Sequence, residues 1–351
     1  AHISVVRSQA PVAGGTTGKP KAEVRRYTVI NIYAQSISLN KVGYFGLGPD
    51  TLRSQQSVFG MTESIVGANV IKPIPGGLNL SLVGEVNGRF VNVRGNHDGT
   101  SPSIEQVYAE ATAPGLVRQP GFAQFGEGVR VAPMLFRDYL WLNYLAGFQQ
   151  FVAPSASRYS FMRWTIDLRH SFALYGRAPS SAPRDTNGPD ECASTVGAEK
   201  CPSVPVTRNL YGAIGVRLLI SESVTAATSV VPFYFQPTLG GSDVDGVPAL
   251  SSYNDYRFRA PNLLLLRASF EHSIWGPFGF EFQADQGKVA LARGDVGFNH
   301  LKHTFATGLT LRAGGFPFVF IMYAWGGGES NHTIFNMNSS LLGGSYRPSL
   351  F

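Results

Sequence analysis

A chain of 351 residues that is 44% hydrophobic, 12% aromatic and only 15% charged is long enough for one large domain or two small ones. Its longest apolar stretches, around 263–266 and Phe316–Trp325, stop well short of the roughly 18–20 residues of a membrane helix, which excludes a helical membrane bundle. The formal charge of +6 comes without a basic helix, zinc-ligand spacing or basic-aromatic motif, which argues against nucleic acid as a partner and for arginines lining an interior.

Residues 1–21 are rich in Gly, Pro and Thr and lack periodicity, which predicts a flexible lead-in. Ala1 suits a chain end left by signal cleavage. From 22 to 351, period-two segments follow one another. Residues 23–46 predict one long strand, 56–73 return, and Pro75-Gly76-Gly77 turns the chain tightly. Leu80, Leu82, Gly84, Val86 and Phe90 then alternate with Ser81, Glu85, Asn87 and Arg89, giving one greasy and one polar parity. A loop over 96–122 carries a short helix at 104–113, and segments 123–134 and 139–152 pair across a turn at 135–138. The clearest single strand sets Met162, Trp164, Ile166 and Leu168 against Arg163, Thr165, Asp167 and Arg169.

A Pro/Ser/Gly/Asp-rich insertion over 177–207 holds both cysteines, Cys192 and Cys201. A loop disulfide suits this spacing in an oxidising envelope. Two free thiols or two metal ligands are the alternatives, and the lack of a nearby histidine disfavours a metal. A strand at 208–222, a long loop at 223–256 and strands at 257–275, 278–292, 303–314, 316–327 and 331–344 complete a set of about twelve, or up to sixteen if long segments hide hairpins. Such strands cross a bilayer only when the sheet closes, because open edges leave backbone groups unpaired in lipid. The expected fold is therefore all-β: a closed antiparallel transmembrane β-barrel over 22–351. Tyr139, Trp141, Tyr144, Trp164, Trp275, Tyr323 and Trp325 fall near strand ends, where amphipathic rings meet the headgroups.

The most informative stretch runs from 233 to 289. Arg257, Arg259, Arg267, Ser269 and Glu271 share one parity, and Phe258, Leu264, Leu266, Ala268 and Phe270 the other. Phe278, Phe280, Phe282 and Ala284 likewise alternate with Glu281, Gln283 and Asp285. With Arg163, Asp167 and Arg169, the charges Arg257, Arg259, Arg267, Glu271, Glu281 and Asp285 converge on the interior. They form either a paired network that fills and stiffens a barrel or a polar conduit and loop latch.

The run PFYFQPTLGGSDVDGVPALSSYNDYRFR, followed by NLLLLRASFE and ADQGKV, resembles the C-terminal barrel of the BamA/TamA family of outer-membrane assembly factors, also called the bacterial surface antigen family. GLGPDT, PSIEQVYAEATAPGL and the terminal Phe351 resemble it too. The resemblance implies a bacterial outer-membrane location, outer-membrane lipids and other envelope proteins as partners, and a role as membrane anchor or complex subunit or in outer-membrane protein assembly. The lead-in is far too short for the POTRA domains that precede the barrel in such factors. Where the family carries Leu-Arg-Gly-Tyr/Phe, this chain has Leu250, Ser251, Ser252 and Tyr253, so the signature arginine is missing while its carboxylate, Asp285, is kept. Arg257 or Arg259 is expected to replace it and pair with Asp285 or Glu281.

A passive porin-like channel for small solutes is the competing function, and a soluble sandwich the competing fold. No G-x-S-x-G, P-loop, dinucleotide fingerprint or H-E-x-x-H occurs, so no enzyme, cofactor or metal is expected. His300 and His303 read as a solvated loop, and Asp243-Val244-Asp245-Gly246 as a turn rather than a calcium loop. Asn331-His332-Thr333 is a glycosylation sequon in form only.

Overall fold

Alternating side chains of β-branched and aromatic type favour extended backbone, and extended backbone must find a neighbour for its N–H and C=O groups. Here each strand finds the next one in sequence. The computed structural model describes residues 2–7, 27–97, 101–136, 139–174, 212–241, 248–275, 277–313 and 316–337. The elements in chain order are β1 (His2–Arg7), β2 (Thr28–Tyr44), β3 (Ser57–Pro73), β4 (Leu80–Gly95), α1 (Ile104–Val107), β5 (Phe122–Val131), β6 (Met134–Leu135), β7 (Leu140–Val152), β8 (Phe161–Ala173) and β9 (Gly212–Val224). There follow β10 (Thr238–Leu239), β11 (Phe258–Arg259), β12 (Asn262–Trp275), β13 (Phe278–Ala290), β14 (Lys302–Ala313), β15 (Phe316–Trp325) and β16 (His332–Met337).

One antiparallel sheet runs β1-β2-β3-β4-β5-β7-β8-β9-β12-β13-β14-β15-β16, with β6 extending the hairpin of β7. The small β10-β11 ladder lies apart from it, within the loop between β9 and β12. Each expected wall strand has a counterpart among the described residues, while 208–211 and 338–344 of two of them lie outside those residues. Three expectations need correction. His2–Arg7, placed in a flexible lead-in, pairs with Thr28–Tyr33 as β1. The expected helix shrinks to Ile104–Val107, capped where the Gln106 side chain accepts the Ser103 N–H at 3.1 Å. The strand expected over 257–275 begins at Asn262, because Pro261 has no N–H to give a ladder. Cys192, Cys201, Asp243, Asp245 and Phe351 lie outside the described residues.

From β2 onward the wall strands largely share one division, Leu264 of β12 being an outer-parity residue that is nonetheless buried. On the inner parity Tyr33, Glu63, Ile65, Glu85, Asn87, Arg89, Gln124 and Gln149 are buried. On the outer parity Val66, Val86, Phe90, Phe125, Trp164, Ile166, Leu309 and Ile321 stand exposed, Trp164 at 53% and Val86 at 55%. Among the described residues nothing covers these exposed positions. In β2 a register shift between Leu39 and Val42 moves the inward set to Val42 and Tyr44, as a bulge does. Among the described residues no helix is long and apolar enough to cross a membrane.

The sheet curls. Lys41 and Gly43 of β2 and His332, Thr333, Ile334 and Phe335 of β16 line one cavity of about 540 Å3, so the two ends of the strand order approach each other. Among the described residues no ladder joins β16 to β1 or β2.

Candidate functional site

The interior carries the candidate site, and the 225–261 loop organises it. Pro232 starts a tight turn that drives Phe233, Tyr234 and Phe235 into the curl of the sheet, where all three are buried. Phe233 meets the rings of Tyr44 and Phe59 edge-on at 5.2 and 5.1 Å, while Phe235 meets Phe122 at 4.9 Å and Phe151 at 5.3 Å. Phe151 stacks flat on Phe161 at 4.4 Å. Burying such a ring contributes roughly 1.5–3 kcal/mol, so aromatic packing is one main force holding the loop inside.

Beyond the aromatic turn, the Leu239-Gly240-Gly241 segment folds back along 249–257. The Gly240 N–H donates to the Ala249 carbonyl at 3.1 Å and the Tyr256 N–H to the Gly240 carbonyl at 2.9 Å. Gly240 has φ +111, and a Cβ there would stand 2.5 Å from the Cβ of Arg257, so only glycine fits.

Arg257 is the loop's central side chain. Its Nε donates to Glu329 Oε1 at 2.9 Å, its Nη1 to Thr51 Oγ1 at 2.6 Å and its Nη2 to the Thr51 carbonyl at 2.6 Å. The guanidinium lies over the rings of Phe45 and Phe258, 5.0 and 4.6 Å from their centres. Thr51 follows β2 and Glu329 precedes β16, so one side chain touches the loops at both ends of the strand order. Arg53 Nη1 adds a bond to the Glu329 carbonyl at 3.0 Å.

The expected pairing of Arg257 or Arg259 with Asp285 or Glu281 is not what forms. Asp285 takes Arg267, whose Nε reaches Oδ1 at 2.7 Å and whose Nη2 reaches Oδ2 at 2.9 Å. Asp285 also accepts the Leu250 N–H at 3.0 Å, so the signature loop still reaches this carboxylate, through backbone rather than through an arginine. The failed pairing has a plain cause: the chain between Arg259 and Asn262 leaves the ladder, so Arg257 and Arg259 do not continue the parity of Arg267. Arg259 is instead 1% exposed and donates Nη1 to the Phe233 carbonyl at 2.7 Å, anchoring the aromatic turn. Ser251 and Ser252 are buried; the Ser252 N–H donates to Thr304 Oγ1 at 3.1 Å, and Tyr253 packs edge-on against Phe258.

The remaining predicted charges fall on the inner parity. Asp167 binds Arg169 at 2.7 Å and Arg217 at 2.8 Å. Arg163 donates Nη2 to the Phe235 carbonyl at 2.6 Å and so ties the wall to the loop. Glu271 and Glu281 stand opposite each other in the β12-β13 register.

Sequence reasoning missed a second network on the first strands. Arg89 binds Glu63 through Nε at 2.8 Å and Gln124 through Nη1 at 3.1 Å, Gln149 reaches Glu85 at 2.9 Å, and the Tyr33 hydroxyl donates to Asn87. The alternation of Glu85, Asn87 and Arg89 was its visible signal, and Arg217 was likewise legible as an odd-parity charge of its strand. His303 lies in β14, not in a loop, while His300 sits in the preceding loop with φ +55. Among the described residues no three His, Cys, Asp or Glu side chains converge to hold a metal.

Outside the wall, Glu110 ties two rim loops together. Burial works against its ionisation, but N–H donors from Gly115 at 2.6 Å and Val117 at 3.0 Å, the Tyr159 hydroxyl at 2.7 Å and the charge of Arg158 outweigh it and leave the carboxyl below its ordinary range.

No family model and no curated protein matches this sequence. Among solved structures, CdiB from Escherichia coli superposes with a TM-score of 0.50 at 10% identity, over 89% of this chain and 48% of CdiB. The likeness is one of fold. It supports an all-β antiparallel sheet architecture, and this chain spans about half the length of CdiB.

Proposed function

We propose that this protein is a closed transmembrane β-barrel of the bacterial outer membrane, related to the BamA/TamA barrels, that works as a membrane anchor or subunit of an envelope complex or in outer-membrane protein assembly. One observation carries the reading: the wall strands turn large apolar side chains outward, uncovered among the described residues, while the inward face is polar or packed against the loop. In water such a surface is a liability; in hydrocarbon it is the stable arrangement. Closure then follows from the absence of water to satisfy a free edge, and the shared cavity of β2 and β16 supports it.

The infolded loop sets the activity class. Arg257 acts as its latch, and the ionic pairs Arg267–Asp285 and Arg217–Asp167 stiffen the wall beneath it. A barrel whose interior is filled by Phe233, Tyr234, Phe235 and their aromatic neighbours is a poor conduit, which weighs against the porin-like alternative.

The test is refolding from denaturant into detergent and then vesicles. A membrane barrel co-floats with the vesicles and migrates on gels differently before and after boiling; a chain that stays in the aqueous phase refutes the proposal.

A further inference from the structure

A groove of about 710 Å3 opens where β7, β8 and β9 end, between the 153–160 turn and residues 224–229. Its lower wall is Val152, Met162 and Val224, the last two opposite each other in the β8-β9 register. These share the outward parity of Trp164 and Ile166, on a face that also carries Gln150 opposite Met162 and Glu222, paired with Arg293, opposite Trp164. Its upper wall is lined by Ser157, Arg158, Thr225, Thr228 and Ser229, residues with hydroxyl or guanidinium groups.

Arg158 is exposed and makes no ion pair among the described residues. The nearby carboxylate Glu110 feels the charge of Arg158 but takes its hydrogen bonds from Gly115, Val117 and Tyr159. Arg118, held to the Ser155 carbonyl at 2.7 Å, adds a second positive charge to the same rim. A guanidinium with hydroxyl donors recognises phosphate oxygens, and an apolar ledge directly below accepts hydrocarbon. Only an amphiphile satisfies both walls at once.

We propose that this groove seats the phosphate-bearing headgroup of an anionic membrane lipid, with the start of an acyl chain against Met162. The inference rests on the membrane-spanning reading above. The test uses the full chain in nanodiscs of a neutral galactosyl diacylglycerol containing a minority of phosphatidylglycerol, the lipids that remain bound being counted by native mass spectrometry. The wild type is expected to retain phosphatidylglycerol over the galactolipid by about tenfold, the equivalent of about 1.4 kcal/mol. Arg158→Gln brings that preference close to unity, while Lys72→Gln, at the opposite end of the wall, keeps it. Equal retention of both lipids by the wild type overturns the proposal, as does an unchanged preference in Arg158→Gln. Displacement of the lipid by chain-free glycerol phosphate at equal concentration also overturns it, because the ledge would then have no part. Failure of the membrane reading is seen earlier and separately, as a chain that never enters the nanodisc.

Discussion

Arg257 and Glu329 sit at 3% and 19% side-chain exposure, so this ion pair is neither a surface contact nor fully sealed. Replacing Arg257 by Met leaves Glu329 without its bidentate partner and Thr51 without two donors. The expected cost is roughly 3 kcal/mol by denaturant unfolding in detergent, with Glu329→Gln costing less because a neutral acceptor remains. A loss under about 1 kcal/mol for Arg257→Met would show that the aromatic turn holds the loop alone. Glu110 gives a residue-scale dependence on pH. Its folded-state carboxyl titrates below the unfolded value of about 4.3, so its contribution is complete above that pH and disappears as pH falls through the lower folded value. Following the Gly115 and Val117 amide resonances against pH should therefore give a midpoint below about 4.3; one at or above it contradicts the hydrogen-bond account.

At the scale of the element, β8 states the wall's design most clearly. Its odd positions reach Asp167 and Arg169 inside, and its even positions expose Met162, Trp164 and Ile166. Ile166→Arg is expected to destabilise the protein in lipid by roughly 2–4 kcal/mol if the position lies near the bilayer midplane. The same change on the surface of a soluble sandwich would fall within about 0.5 kcal/mol. Urea unfolding in vesicles distinguishes the two. The β9–β12 loop differs in kind, since it is held by its glycine turn and its rings rather than by a ladder. Gly240→Ala, forced into positive φ against Arg257, should weaken loop burial without altering the β-sheet signal in far-UV circular dichroism.

At the scale of the molecule, the loop decides whether the interior is a passage. The rings of Phe233 and Phe235 join β2, β3, β5, β7 and β8 in one apolar core, so a solute would have to displace it. Small or absent steps are expected for the intact protein in planar bilayers. Removal of residues 226–256 should produce larger, steady ones. Large steady steps from the intact protein would instead favour the porin-like reading.

Period two made the wall legible. Strands such as 80–90 and 161–169 announce their greasy and polar faces because side chains in extended backbone alternate wherever no bulge intervenes, and the inward charges of Asp167, Arg267 and Asp285 followed from that rule alone. What the sequence could not carry was the path of the 225–261 loop. Once Pro261 takes the chain off the ladder, parity ceases to predict direction, and Arg257, Arg259 and Glu329 find partners only when distant segments are brought together. Leu263 and Leu265 show the same limit: on an inward face expected to be polar they are buried apolar, because the returning loop rather than water is what they meet. Local backbone geometry fixed which way each wall residue points; only the folded chain decided what stands opposite it.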